Sequence, residues 1–322
     1  MEMKTNQLAA LPKLPPELLL QVIDSGLPRN TQLILSANDI VTKTLLSWTV
    51  VSRATYAHAS KQLRERCVYL DSSRRLANLL LCLPRVVPTL PLPLPLNHIT
   101  SMYLAPFGKT LDDQPTAMWV RELFFAVSSS LTRLVVEMPF KTLDRMSDHL
   151  SVRNILREGF ASLNKLQEFV SLGDFPSLRI QDGQMDIWRH WPDIQRLAVF
   201  GAPLNARLFW VNIVSLRKLD TLVLAKAQHV LETNMKKEYV EACDASLDRD
   251  IKVMLMDVAY DVRDVESTDW EKYDPEDRIV VQMFEVPTSY YGDESALEVV
   301  TSWVKRGAVQ GTLWEWNGGR VR

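Results

Sequence analysis

A short apolar pattern recurs along the middle of the chain, apolar-x-x-apolar-x-apolar, in six segments that begin at Ile99, Leu131, Leu166, Ile194, Leu219 and Ile251. The instances are Ile99/Met102/Leu104, Leu131/Leu134/Val136, Leu166/Phe169/Ser171, Ile194/Leu197/Val199, Leu219/Leu222/Leu224 and Ile251/Met254/Met256, and only Ser171 departs from the rule. Apolar residues two apart at the end of each segment predict a short strand that buries one side. Between these segments, residues 116–129, 152–163, 185–191, 206–216 and 231–245 carry apolar positions at three- and four-residue spacing and predict helices. Alternating strand and helix is the pattern of an α/β fold with a parallel sheet. Each predicted strand leaves through a short loop rich in Gly, Pro or small residues, as at 137–140, 173–176, 201–203 and 225–227, which a tight exit requires. These loops are expected to share one rim, and Phe140, Phe175, Pro203 and Lys226 on them are candidates to meet a protein partner.

The starts are separated by 32, 35, 28, 25 and 32 residues. Those intervals lie at or beyond the upper end of the roughly 20–29 residues of leucine-rich repeats, so the body resembles a degenerate, irregular array of that kind. The resemblance implies a curved strand–helix solenoid whose strands are sequential neighbours. The competing architecture is a compact α/β domain with a central parallel sheet, in which the strand order reverses.

Ahead of this body the pattern is different. Leu14, Leu18 and Val22 recur every four residues, Leu19 and Ile23 widen the stripe, and Pro16 suits a first helical position. Leu45, Leu46, Val50 and Val51 form a second apolar set, after which Ser52 can cap a helix through Tyr56, Ala59, Leu63 and Cys67. A helix of about ten residues is too short to be stable alone, so the small helices must share a core.

The Leu14-Pro15-Pro16-Glu17-Leu18-Leu19 opening and the later Val50-Val51-Ser52-Arg53 resemble an F-box. The resemblance covers residues 11–83 and extends past the core motif, where Val68, Leu70, Ser72 and a helix with Leu76, Leu79, Leu80 and Leu83 are similar to the region just after the F-box in many fungal proteins. It implies a three-helix head that contacts the Skp adaptor of a cullin-RING ubiquitin ligase through Leu14, Pro15, Leu18, Leu19, Ile23, Val51 and Ser52. Tyr56 stands where many members have tryptophan, and residues 28–43 make the connection about ten residues longer than the family's, an insertion expected to loop out.

Three further regions complete the organisation. Residues 84–97 alternate Pro and Leu and read as a stiff connector between the head and a body spanning 98–322. An acidic insert at 260–278 interrupts the body, and Trp270 and Tyr273 within it are candidates for a partner surface. A helix at 294–305 followed by Leu313-Trp314-Glu315-Trp316 is expected to close the open end of the array.

Composition narrows the function classes. The 322 residues are 47% apolar, enough for a substantial core. No signal sequence or long uninterrupted apolar stretch is present, which predicts a cytoplasmic or nuclear protein without a membrane partner. The net charge of -2 conceals an excess of +5 over residues 1–86 (11 basic, 6 acidic) and of -11 over 241–294 (5 basic, 16 acidic). A basic excess that small and scattered argues against nucleic acid. Cys67, Cys82 and Cys243 form no metal-ligand or disulfide spacing, and the acidic insert lacks the Asp-x-Asp-x-Asp-Gly core of a calcium loop. The five histidines are dispersed, no nucleophile elbow, phosphate loop or dinucleotide fingerprint occurs, and Trp188-Arg189-His190-Trp191 reads as a helix end packed on the core in preference to an anion cradle.

The expectation is therefore a non-catalytic, cofactor-free and metal-free subunit of an SCF-type ligase. Its head would bind the Skp adaptor and, through it, the cullin scaffold, and its body would hold a protein client for ubiquitylation and proteasomal degradation. The alternatives are an interaction module with a vestigial F-box, and an enzyme whose site assembles only in space.

Overall fold

The computed structural model describes residues 15–81, 96–143, 148–181, 183–243, 249–258, 269–288 and 293–321. Leu14, Cys82, residues 84–95 of the Pro/Leu connector and residues 260–268 of the acidic insert lie outside them.

The described residues open with three helices, α1 (Pro16–Ser25), α2 (Ile40–Trp48) and α3 (Arg53–Arg66). Each start has a local cause. Pro16 occupies the first position of α1, the Asp39 carboxylate accepts the Val41 N–H at 2.8 Å, and Ser52 and Thr55 form a reciprocal capping box at the head of α3. Ile23, Leu45 and Ala59, one from each helix, make a small core of their own, edged by Leu20, Val41, Trp48 and Leu63.

From α3 the chain passes directly into β1 (Tyr69–Leu70), the first strand of a nine-stranded sheet, and then α4 (Ser73–Leu80), capped by Ser72. The strands β2 (Ser101–Leu104), β3 (Arg133–Glu137), β4 (Glu168–Leu172), β5 (Arg196–Phe200), β6 (Thr221–Ala225), β7 (Ile251–Asp257) and β8 (Ile279–Glu285) come next as sequential parallel neighbours, and β9 (Gly319–Arg320) adds antiparallel to β8. Between them lie α5 (Gln114–Val127), α6 (Val152–Ala161), α7 (Arg207–Val214) and α8 (Met235–Ala242), close to the predicted spans. The helix predicted at 185–191 is instead a 3-10 turn, Ile187–His190. The molecule is thus an α/β protein with a mostly parallel sheet whose strand order never reverses. The predicted division at residues 83/84 is crossed by the sheet, because β1, within the predicted head, hydrogen-bonds to β2.

Both faces of the sheet are buried. On one face Met102, Leu104, Leu134, Val136, Phe169, Leu197, Val199, Leu222 and Leu224 pack under α4–α8 in the main core. On the other, Tyr103, Val135, Val170, Ala198, Val223 and Met254 stand in one row across the sheet, each paired with the next. This row is covered by α10 (Ala296–Gln310), which packs against β3, β4 and β7 and buries Val300, Val304 and Ala308 at four-residue spacing. The terminal helix therefore lies across the sheet instead of closing its end.

That arrangement corrects the sixth instance of the sequence pattern. Leu222 pairs with Val253 and Leu224 with Leu255, so Val253 and Leu255 continue the helix-side face, whereas Met254 and Met256 lie beneath α10. A one-residue slip exchanges the two faces of a strand, and a strand apolar on both faces leaves that register undecided in the sequence.

The insertion at 28–43 does not loop out. Ile34 and Leu35 are buried, the Ile34 N–H donates to Val309 O at 2.9 Å and the Leu35 N–H to Arg66 O at 2.7 Å. Asn30 Nδ2 donates to Gln310 O at 2.7 Å, and the Arg133 guanidinium donates to the carbonyls of Gln32 and Ala308. Ile34 joins the α10-side core. The extra residues therefore bind the helical head to the C-terminal end of α10 and the start of β3.

Candidate functional site

Two surfaces collect the candidate residues. The first is the helical head. Of the fifteen large apolar side chains that are exposed among the described residues, seven fall on it: Leu18, Val22, Ile40, Leu46, Val50, Val51 and Tyr56. Scattered single apolar residues are ordinary on any surface, but this density on a head of about fifty residues is not. The helices are too short and too few to bury more than one stripe each. With Ile23, Leu45 and Ala59 turned inward, the second apolar stripe has nowhere to go but outward.

The residues implied by the F-box resemblance separate accordingly. Pro15, Leu18 and Val51 are exposed and Leu19 half-buried, whereas Leu14 lies outside the described residues. Ile23 is only 3% exposed and belongs to the head's own core, so its side chain is structural and not part of an accessible face. Ser52 is exposed, but its hydroxyl is committed to the Thr55 N–H at 3.2 Å as a helix cap. Val22, Leu46 and Val50 are not among the contact residues expected from the sequence; Val50, at 84%, is the most exposed of the apolar set. Their apolar character is visible in the sequence, but periodicity alone does not say which of two stripes faces in.

The second surface is the rim at the carboxyl ends of the strands. Two adjoining cavities of about 660 and 700 Å³ lie there and share Lys141, Gly173, Asp174 and Leu297. Together they form a groove between the exit loops of β1–β6 and residues 297–305 of α10. Phe140, Phe175 and Lys226 line it, and Pro203 stands beside them through its bridge to Gln228, a further lining residue. Phe140 is buried, while half-buried Phe175 meets Trp188 edge to face at 5.5 Å.

Geometry at the strand ends explains why these loops turn so tightly. The residue after β4 is Gly173 (φ 78°), after β5 Gly201 (φ 60°) and after β6 Lys226 (φ 50°), three aligned left-handed exits. Polar groups converge on both halves of the groove. At the β2–β3 end Tyr103 donates its phenol to Glu137 at 2.5 Å, and Lys305 reaches the same carboxylate at 2.7 Å. Burial, reinforced by the Glu137 hydrogen bond, holds the Tyr103 phenol protonated far above its ordinary range. At the β4–β6 end Lys141 pairs loosely with Asp174 at 3.6 Å, and Lys226 with Asp257 at 2.9 Å.

Trp270 and Tyr273 are not brought to this groove. They form a single turn, α9 (Trp270–Tyr273), that packs on α8. Trp270 is 6% exposed, with Lys236 Nζ 5.2 Å from its ring centroid, which removes it from any accessible partner surface. Lys236 is buried and bonds Asp274 and Asp277, each at 2.8 Å. Burial works to raise the Asp274 carboxyl, but the Lys236 bond and the Ile279 and Arg278 N–H groups bring it below the usual carboxylate range. This end of the acidic insert is therefore a buried structural clamp.

Trp188 and Trp191 are fully buried, and Trp191 Nε1 donates to Phe160 O at 2.8 Å, so the two tryptophans of the Trp-Arg-His-Trp stretch pack in the core while Arg189 and His190 between them are exposed. Beside it Asp186 exchanges two hydrogen bonds with buried Asn212, and burial pushes its carboxyl up to about 6 against the pull of Arg179 and Arg157. Among the described residues no group of His, Cys, Asp and Glu is placed to hold a metal, and no helix is long and apolar enough to cross a membrane.

The fold and site define a class: an α/β protein with a mostly parallel sheet, three short helices ahead of it with a small core of their own, and a groove along the rim at the strand ends. No protein-family model and no curated protein sequence matches the chain.

Proposed function

We propose that the protein is a substrate-recruiting subunit of an SCF-type ubiquitin ligase, with the helical head docking on the Skp adaptor and the rim groove holding a protein client. The observation that carries this reading is the exposure of Leu18, Val22, Leu46, Val50 and Val51 on a head that already has its own core. An apolar surface of that kind loses free energy in water and gains it by covering with a partner. The sequential, parallel strand order supports the finer reading of the body as an irregular leucine-rich-repeat-like array, since a doubly wound sheet reverses its order.

The mechanism is proximity. The head is tied to the body by β1 and by the 28–36 segment, so a client on the rim is held at a defined distance from whatever the head binds, which raises the effective concentration of its lysines at the ligase. The test is complex formation between the purified chain and the Skp adaptor. Leu18→Asp with Val50→Asp, two exposed positions, is expected to abolish the complex and leave the unfolding midpoint unchanged. A wild-type chain that forms no complex, or a complex indifferent to both substitutions, overturns the proposal.

A further inference from the structure

The helices that cover the main core follow a rule that α5 breaks. Each turns an apolar stripe to the sheet and a polar one to solvent. Within α4 the exposed residues are Arg74 and Asn78, within α6 Asn154 and Glu158, within α7 Arg207 and within α8 Glu241. Within α5 they are Pro115, Met118, Trp119, Glu122, Phe125 and Ala126, spaced three and four apart as on one face. Met118, Trp119 and Phe125 are 43%, 38% and 46% exposed, while Ala117, Val120, Leu123, Phe124 and Val127 fill the core from the opposite side. Helices apolar on every side are those that are covered on every side. Leu150, also exposed, enlarges the patch at the first turn of α5, where its carbonyl accepts Gln114 Nε2 at 2.9 Å.

The charges on α5 and the two helices beside it balance. Arg121 and Glu122 are the only ionisable groups of α5, and Arg121 bonds both Glu122 and Glu158 of α6, each at 3.1 Å. On α6, Arg153 and Arg157 are bonded to backbone carbonyls; on α4, Arg75 is paired with Asp71, which leaves Arg74 as the exposed charge of that flank. Two cations and two carboxylates therefore surround an apolar face, and no net charge calls for a strongly charged partner. The face is also complementary to itself. Arg121 and Glu122 adjoin at one point of the helix, and Met118 and Phe125 lie equally far on either side of that point. A two-fold copy running antiparallel sets Met118 against Phe125 of the second copy, and Arg121 near Glu122 of the second copy. A parallel copy would set Glu122 against its own equivalent. Self-complementarity of this kind is what a two-fold interface between identical chains requires.

We propose that the outer face of α5 binds a second copy of this chain, antiparallel, as a two-fold dimer. Met118 and Phe125 make the apolar contact on either side of the axis, Trp119 lies beside the small Ala126 of the second copy, and the Arg121–Glu122 pairs adjoin at the centre. A single helix face is a small interface, so the dimer belongs to the weak, concentration-dependent class. Neither the head nor the rim takes part, and the dimer is independent of the ligase reading.

The experiment is sedimentation equilibrium of the full-length chain, without adaptor, over the micromolar to sub-millimolar range. The weight-average mass is expected to climb from that of one chain toward that of two. Phe125→Glu and Met118→Glu, at exposed positions, are each expected to weaken self-association at least tenfold and to leave the unfolding midpoint unchanged. Cysteine pairing tests the orientation: Met118→Cys mixed with Phe125→Cys is expected to give a disulfide-linked dimer on mild oxidation, above the level of the wild-type chain, whereas neither variant alone does. A monomer throughout the range, or association that both glutamates leave unchanged, overturns the proposal. So does association abolished by Leu18→Asp with Val50→Asp, which would place the contact on the head. Cross-linking of either cysteine variant alone as readily as of the mixture overturns the antiparallel pairing.

Discussion

Ile34→Ala tests whether the inserted segment is an anchor. Ile34 is 2% exposed, lies in the core beneath α10, and donates its N–H to Val309 O at the helix end. Truncation removes three carbons, about 2.4 kcal/mol of transfer free energy at about 0.8 kcal/mol per methylene. The unfilled cavity raises the expected loss to on the order of 3 kcal/mol, within the range of about 2–5 kcal/mol for such truncations. Ile40 provides an internal control: the same residue type six positions on, 78% exposed, where truncation should change stability by less than about 0.5 kcal/mol. Urea unfolding followed by tryptophan fluorescence reads the difference, since Trp314 shares the core with Ile34. With a slope of about 3 kcal/mol per molar urea, the Ile34 midpoint should fall by about 1 M and the Ile40 midpoint by less than about 0.2 M. Equal shifts at the two positions, or a loss below about 1 kcal/mol at Ile34, refute the claim that these residues hold head and body together.

Three other outcomes are set by the same geometry. Ser52→Ala removes the cap of α3 and should cost about 1 kcal/mol in thermal stability; a variant of unchanged stability that loses adaptor binding would instead make the hydroxyl a direct contact. Lys236→Ala leaves the Asp274 carboxylate buried without its cation and should destabilise the fold by about 3–5 kcal/mol in the same urea assay, whereas a surface pair would lose under about 1 kcal/mol. Asp186 has its folded pKa raised from 3.8 to about 6, so its contribution is fully present below pH 3.8 and is lost as pH rises toward and through 6. At about 1.4 kcal/mol per unit this amounts to on the order of 2–3 kcal/mol, and Asp186→Asn should flatten the pH dependence of the unfolding midpoint between pH 4 and 6.

Much of the architecture could be read without coordinates because its causes are local. Pro16 at a first helical position, Ser52 and Ser72 as caps, and the paired apolar positions of β2 to β6 act within a few residues of themselves. The rim was legible for a similar reason: a strand that must turn at once needs Gly, Pro or small residues, and those residues marked the loops that carry Phe140, Phe175, Pro203 and Lys226. The 3-10 turn at 187–190 escaped because buried Ile187, Trp188 and Trp191, spaced as on one helical face, mimic an amphipathic helix over so short a span.

What remained undecided depends on contacts between residues far apart in the chain. Whether Ile23 or Val22 faces inward is set by which stripe of α1 meets Leu45 and Ala59, and the sequence holds both stripes. The register of β7, the burial of Trp270 under Lys236, the docking of residues 30–35 and the course of α10 across the sheet are all agreements between distant segments. The sequence alone determined the longer helices and the strands β2 to β7, because propensity and period are properties of neighbours. Only the tertiary structure decided which apolar surfaces were left over for a partner, because burial is a property of the whole packed chain.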